Sequence, residues 1–502
     1  MRSYMTIQFL ALVVTTWLMG LNVHAQAQQF DLLIKGGRVI DPRNQIDSVL
    51  DVAIAGGKIA RVAADIAADQ AIQVVDAGGL IVAPGLIDIH VHAFFGTDPD
   101  GSYGGGLNSL PPDGFTLRSG VTTAVDVGSS GWRNFRELKE RVIDHSKTRL
   151  LAFLNIVGSG MRGDPAEQSL ADMDPKLTAM RVRQFPQTLV GVKVAHYRGP
   201  EWDPVDRAVQ AGRLANVPVM VDFGGVVPEL PLKDLLLEHL RPSDILTHTY
   251  AQVRGRIPIV DEQGNVRPYV LEARKRGIIF DVGHGGGSFV FRQAVPAIKQ
   301  GFTPDSISTD LHRGSMNAGM KDMLNVMSKF LNMGMALPDV ILRSTWNPAR
   351  EIKRTELGHL SAGAPADVAV LRLRQGNFGF VDVAGGKMPG NSKLECELTL
   401  REGQVVWDLN GISHREWEKQ PVNQPTSQPC NFVRPCSESR LQPAQRASFN
   451  GKPPMNTDPC SSVVSHVWLR LRCGCGVVYN ATPKARFASA TRSGVSVNSY
   501  PA

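Results

Sequence analysis

Residues 84–92 read Pro-Gly-Leu-Ile-Asp-Ile-His-Val-His, an apolar run that closes on two imidazoles one residue apart. Alternation along a strand turns His90 and His92 to the same side, where they can share one metal ion. Taken alone, the pair fits satisfied core histidines equally well. In a parallel α/β barrel, chemistry sits at the carboxyl ends of the strands, so the deciding question is how the other apolar runs end. Eight runs occur between residues 84 and 355: "LIDIHVH", "VTTAVDVG", "RLLAFLNIVG", "LVGVKVAH", "VPVMVDFG", "DILTHTY", "IIFDVGHG" and "DSISTD". Helical patterns such as "NFRELKERVIDHS", "PVDRAVQAGRLA" and "FRQAVPAIKQG" alternate with them. This size and rhythm predict an α/β fold, a (β/α)8 TIM barrel over residues 84–355, where a doubly wound sheet would usually hold fewer strands.

Outside the barrel, residues 30–83 carry short alternating strands broken by Gly-Gly turns, and "ADVAVLRL" with "ELTLREGQVVWD" repeats the pattern within 356–410. A small β-sandwich domain built from both ends of the body is expected. The chain has 502 residues, 43% hydrophobic and 20% charged, which excludes a wholly disordered chain and a polytopic membrane protein. Arg2, the apolar run Phe9–Leu21 and Val23-His24-Ala25 read as a signal peptide over residues 1–25, so the protein is expected to be exported, periplasmic or secreted. The net charge of +7 resides wholly in the segment from Arg415 on, where eleven basic residues face four acidic ones. That segment, 415–502, turns to Pro, Ser, Gln and Arg without periodicity and is expected to be disordered. Five of the six cysteines lie in it, leaving only Cys396 in the body, so no disulfide framework is built there. The tail lacks aromatic interleaving or a recognisable motif, which argues against nucleic acid.

The remaining strand ends supply the chemistry. Lys193 interrupts "VGVKVAH", and a buried ammonium is costly unless paired or chemically altered. The sixth run ends in His248 and the eighth in Asp310. A lone histidine or aspartate has structural explanations, but His-x-His, Lys, His and Asp at successive strand ends is hard to obtain by chance.

With "LRSGVTTAVDVGSSG", "THTYA", "FDVGHGGGSF", "STDLH", "MSKFLNMGM" and "WNPA", these motifs resemble the amidohydrolase superfamily of metal-dependent hydrolases, in its amidohydrolase/deacetylase, dihydroorotase-like group, over roughly residues 30–410. The resemblance implies two divalent metal ions, usually Zn2+, and a CO2-derived carbamate on Lys193. His90, His92 and Asp310 would then hold one ion, His248 the other, with Lys193 bridging them. The chain departs from the pattern in "VPVMVDFG", which ends in Asp222 where the family usually has histidine. Asp222 can ligate as a carboxylate, or the second ion is lost.

By the same resemblance, a metal-bound hydroxide attacks an amide or ester carbonyl, and Asp310 serves as general acid and base. Substrate-facing candidates lie just past the strands: His196, Tyr197 and Arg198, then Tyr250, His284, His312 and Arg313. An arginine there can clamp a carboxylate or be a solvated rim charge. The glycines of "GHGGGSF" match no Walker or dinucleotide spacing and read as a close backbone turn. The expected function is a deacetylase-like hydrolase of an N-acyl or O-acyl carboxylate, the alternatives being a cyclic-amide hydrolase and a non-catalytic binding barrel. The expected partner is a small-molecule substrate, with no membrane once the signal is removed and a homo-oligomer left open.

Overall fold

The structure is a computed structural model that describes residues 29–99, 102–224 and 229–419. The signal peptide and the tail beyond residue 419 lie outside the described residues. The chain first lays down β1 (Phe30–Asp41), β2 (Ile46–Ala55), β3 (Lys58–Ala63), β4 (Ala71–Asp76) and β5 (Ile81–Pro84). After the central region it returns with β14 (Val368–Val381), β15 (Lys387–Arg401) and β16 (Gln404–Asp408). All eight belong to one mixed sheet in the order β16-β15-β14-β5-β1-β2-β3, and β4 also pairs with β1. The expected sandwich is therefore a single sheet that forks at β1. Its first half pairs with β4 and its second half with β5. The fork falls at Gly36-Gly37, where the β1/β2 register slips, Gly36 has φ +70°, and a Cβ on Gly37 would lie 2.5 Å from Val82. Only glycine accommodates that close approach.

The central region carries β6 (Leu86–Val91), β7 (Phe95–Asp98), β8 (Val121–Gly131), β9 (Arg149–Asn155), β10 (Leu189–Val194), β11 (Val219–Val221), β12 (Ile245–Leu246) and β13 (Ile279–Phe280). Except for β7, these form a curled parallel sheet in the order β13-β12-β11-β10-β9-β8-β6. Helices such as Phe135–Arg141, Pro175–Gln184 and Asp203–Ala215 fill the crossovers that parallel pairing requires. Covered on both faces, the strands are buried and mostly apolar, with polar residues mainly toward their carboxyl ends. In β9, Leu150, Ala152 and Leu154 join one apolar layer and Leu151 and Phe153 another. Each such buried leucine or phenylalanine contributes about 1.5–3 kcal/mol over its exposed state.

The later expected strands shrink, and "IIFDVGHG" keeps only β13. "DILTHTY" keeps only β12, and "DSISTD" forms no continuous strand, although Asp281 bridges Ser306 and Val91 bridges Leu311 in parallel fashion. The cause is local, because His248 and Asp310 adopt φ of 53° and 51° and leave the β region. The ladder stops where these two side chains turn inward.

Candidate active site

At the carboxyl edge of the parallel sheet, His90, His92, Lys193, Asp222, His248 and Asp310 line one cavity of about 350 Å³. Asp310 Oδ1 lies 3.2 Å from His92 Nε2 and 3.5 Å from His90 Nε2. Potential ligand atoms of these three residues all lie within 4.8 Å of one another. Lys193 Nζ is 3.4 Å from His90 Nε2. Beyond it, Asp222 Oδ2 sits 3.4 Å from His248 Nε2, and the His248 and His90 rings are 5.0 Å apart. Lys193 reaches this point because Gly128 yields space: a Cβ there would lie 2.8 Å from the lysine Cγ.

Hydrogen bonds on the far side of each ring decide which nitrogen faces the cavity. His248 Nδ1 lies 2.5 Å from the carbonyl of Gly283, which can only accept, so Nδ1 carries the hydrogen. His90 Nδ1 lies 2.8 Å from Thr247 Oγ1, and that hydroxyl donates to Asp281 Oδ2 at 2.8 Å. Asp281 also accepts from Ser306 and Ser308, so Thr247 is left with lone pairs for the imidazole N–H. His92 repeats the arrangement through Ser129 at 2.9 Å, and that hydroxyl bonds Asp126. All three rings therefore have Nδ1 engaged by the protein and turn Nε2 to the cavity, the nitrogen that a metal would take.

Electrostatics agree. Burial, with Lys193 close by, holds the His90 pKa well below the usual imidazole range. Burial alone would raise Asp310, but His312, the His92 hydrogen bond and His248 outweigh it and hold the carboxyl at about 2. Asp222 likewise stays well below the carboxylate range against its burial, through His248, Lys193 and His196. Burial pulls the Lys193 ammonium down against the nearby Asp222 and Asp310. Imidazole nitrogens, that of His90 held neutral, beside ionised carboxylates form a donor set suited to divalent cations.

Of the substrate-facing candidates, the cavity gathers His196 and His312. His196 Nδ1 pairs with Glu167 at 2.7 Å and its Nε2 lies 3.7 Å from Asp222. Five expectations are corrected. Tyr250 is fully buried under Phe289 and Phe330 and donates to the Phe302 carbonyl at 3.3 Å, because the left-handed turn at His248 swings it into the core. His284 is also buried and accepts from Lys329 Nζ at 2.6 Å. Tyr197 turns away to Glu201 at 2.6 Å, and Arg198 pairs with Asp164. Arg313 is exposed and does not line the cavity. Sequence reading missed Tyr103, whose ring lies 4.4 Å from that of His92, along with Met161, Ser288 and the backbone of Gly286, Gly287 and Gly314. Tyr103 had one available signal, an aromatic residue in the glycine-rich loop that follows the first barrel strand.

A curled parallel sheet with imidazoles and carboxylates gathered at its carboxyl edge is the arrangement of a hydrolytic enzyme. No family model matches the chain. It is 34% identical to a deacetylase of Agrobacterium fabrum over 347 residues, 67% of this chain and 82% of the relative. Among solved structures, an adenine deaminase superposes with TM-score 0.68 at 27% identity, covering 76% of this chain and 100% of that one. A dihydroorotase follows with TM-score 0.65 at 29% identity, covering 75% and 99%. The chain belongs to the amidohydrolase superfamily.

Proposed function

We propose that the protein is a deacetylase: it hydrolyses an N-acyl or O-acyl compound that bears a carboxylate, with acetyl as the acyl group. The carrying observation is the buried convergence of two imidazole nitrogens and an ionised carboxylate at His90, His92 and Asp310. These three would hold one divalent ion, and His248 with Asp222 the other, zinc suiting their nitrogen and oxygen donors. Bound there, such ions supply Lewis acidity to the carbonyl and acidify water. Carbamylation of Lys193 is supported by its surroundings. The amine is 1% exposed, and its hydrogen-bonding neighbours are His90 and, at 3.7 Å, Met220 Sδ. Conversion to an anionic carbamate relieves an ammonium that has no carboxylate at hydrogen-bond distance among the described residues.

Asp310 faces the cavity at the junction of both imidazoles, so its carboxylate takes the proton of the attacking water and returns it to the leaving nitrogen or oxygen. The parallel sheet is further proposed to close as a (β/α)8 barrel, which the bridges of Ser306 and Leu311 to its two edges support. Export is proposed from the apolar run and small-residue site of residues 9–25.

Metal-loaded enzyme assayed in parallel on N-acetyl amino acids and dihydroorotate tests the reading. Acyl substrates should turn over, and Asp310→Asn should lower kcat about a thousandfold. Turnover of dihydroorotate alone would replace it with cyclic-amide opening, and a chain that binds no metal would be a binding barrel.

A further inference from the structure

The loop from β13 to the helix Phe291–Lys299 is anchored on both sides of a short stretch that makes no bond of its own. Gly283 N donates to Ser308 Oγ and Gly285 N to the Thr309 carbonyl, both at 2.9 Å. On the other side, Val383 N donates to the Phe289 carbonyl at 3.1 Å and Phe291 N to Asp382 Oδ2 at 2.9 Å. Behind the loop, the buried Lys329 ammonium donates to His284 Nε2 and the Gly319 carbonyl at 2.6 Å and to the Val381 carbonyl at 2.9 Å. The His284 ring stacks on Phe289 at 4.5 Å. Between these anchors, the backbone N–H groups of Gly286, Gly287 and Ser288 and the Ser288 hydroxyl have no hydrogen-bond partner among the described residues. All three residues line the cavity that holds Asp310. A Cβ on Gly287 would meet nothing within 4 Å, so the stretch borders open space.

Backbone N–H groups only donate. Three in succession, with a hydroxyl beside them, match a group rich in lone pairs and free of hydrogens, which a carboxylate is. The guanidinium that would otherwise do this work is elsewhere, since Arg198 is committed to Asp164. We propose that Gly286, Gly287 and Ser288 form the subsite for the carboxylate of the acyl substrate, and that Lys329 and His284 are positioning residues that set the loop from behind. The assignment deepens the deacetylase reading and rests on it for the identity of the ligand.

N-acetylglycine and N-acetylglycinamide differ only in carboxylate against neutral amide, and serve as probes with the metal-loaded protein. Wild type should prefer the acid by about 10- to 100-fold in kcat/KM, the range expected of hydrogen bonds to a charged group. Gly287→Val fills the open space and should erase that preference through KM, with metal content and thermal midpoint unchanged. Ser288→Ala should reduce it partially. A wild type that treats both probes alike, or a Gly287→Val enzyme that keeps the preference, overturns the subsite. If neither probe is hydrolysed the deacetylase reading fails, and calorimetry then tests the subsite by itself. Binding of N-acetylglycine that is lost in Gly287→Val supports it, and equal or absent binding refutes it.

Discussion

His90 and His92 differ from ordinary buried histidines in having their outward nitrogen fixed by a hydroxyl that is itself held by a carboxylate. Thr247 is the exchangeable link, because valine keeps its shape and deletes only the hydroxyl. Thr247→Val leaves the His90 Nδ1 hydrogen without the acceptor at 2.8 Å and frees the ring to change tautomer. Metal affinity, measured by chelator competition, should fall about 10- to 100-fold, the usual cost of losing such an outer partner, and Thr247→Ser should restore it. Unchanged affinity in the valine variant would mean that packing alone orients the ring. Asp222 is a similar single-residue matter: its carboxylate stays ionised beside His248, so charge is available where an imidazole is usually found.

The helix Met323–Asn332 and the long hairpin β14/β15 act together on the site without entering it. Lys329 reaches the Val381 carbonyl, and Asn332 Nδ2 donates to the Ser392 carbonyl at 2.7 Å, so the helix straps the hairpin to the loop after β13. Burial pushes the Lys329 pKa down to about 7, with Asp382 and Asp322 pulling up and Lys321 down. An unfolded lysine titrates near 10.4. Between about pH 7 and 10 the unfolded chain therefore binds more protons than the folded one, and this lysine makes stability rise with pH across that window. Lys329→Met removes the term: from pH 7 to pH 9 wild type should gain about 2 kcal/mol more than the variant in urea titrations. Parallel pH profiles would show that the three hydrogen bonds cancel the burial.

The two kinds of element differ in how much the sequence disclosed. Strand ends were legible at Lys193, Asp222 and Asp310 because a polar residue closing an apolar run is a local signal. The donors at Gly286 to Ser288 were not, since their freedom depends on a lysine and a hairpin far along the chain. The eighth run misled as a strand because periodicity is blind to the positive φ that frees Asp310.

At the scale of the molecule, the two sheets share one core. A single apolar cluster takes Ile40, Ile81 and Ala83 of the forked sheet, Ala369, Leu371 and Leu394 of the returning strands, and Leu86, Val121 and Phe330 of the central region. Strands from both ends of the body thereby close over the segment they flank. A barrel and a β-domain joined only by linkers would melt separately, whereas a shared core couples them. Leu371 is fully buried in that cluster, and Leu371→Ala should cost about 2–5 kcal/mol through lost transfer energy and the cavity left behind. The informative readout is the shape of the calorimetric transition rather than its position. With a common core, residues 29–419 unfold in one step that moves down intact, and binding of metal or of an acyl ligand at the remote site shifts the whole transition up by mass action. Two resolved transitions, only one of them moved by Leu371→Ala, would show the sheets to be independent and leave the returning strands without a part in holding the site.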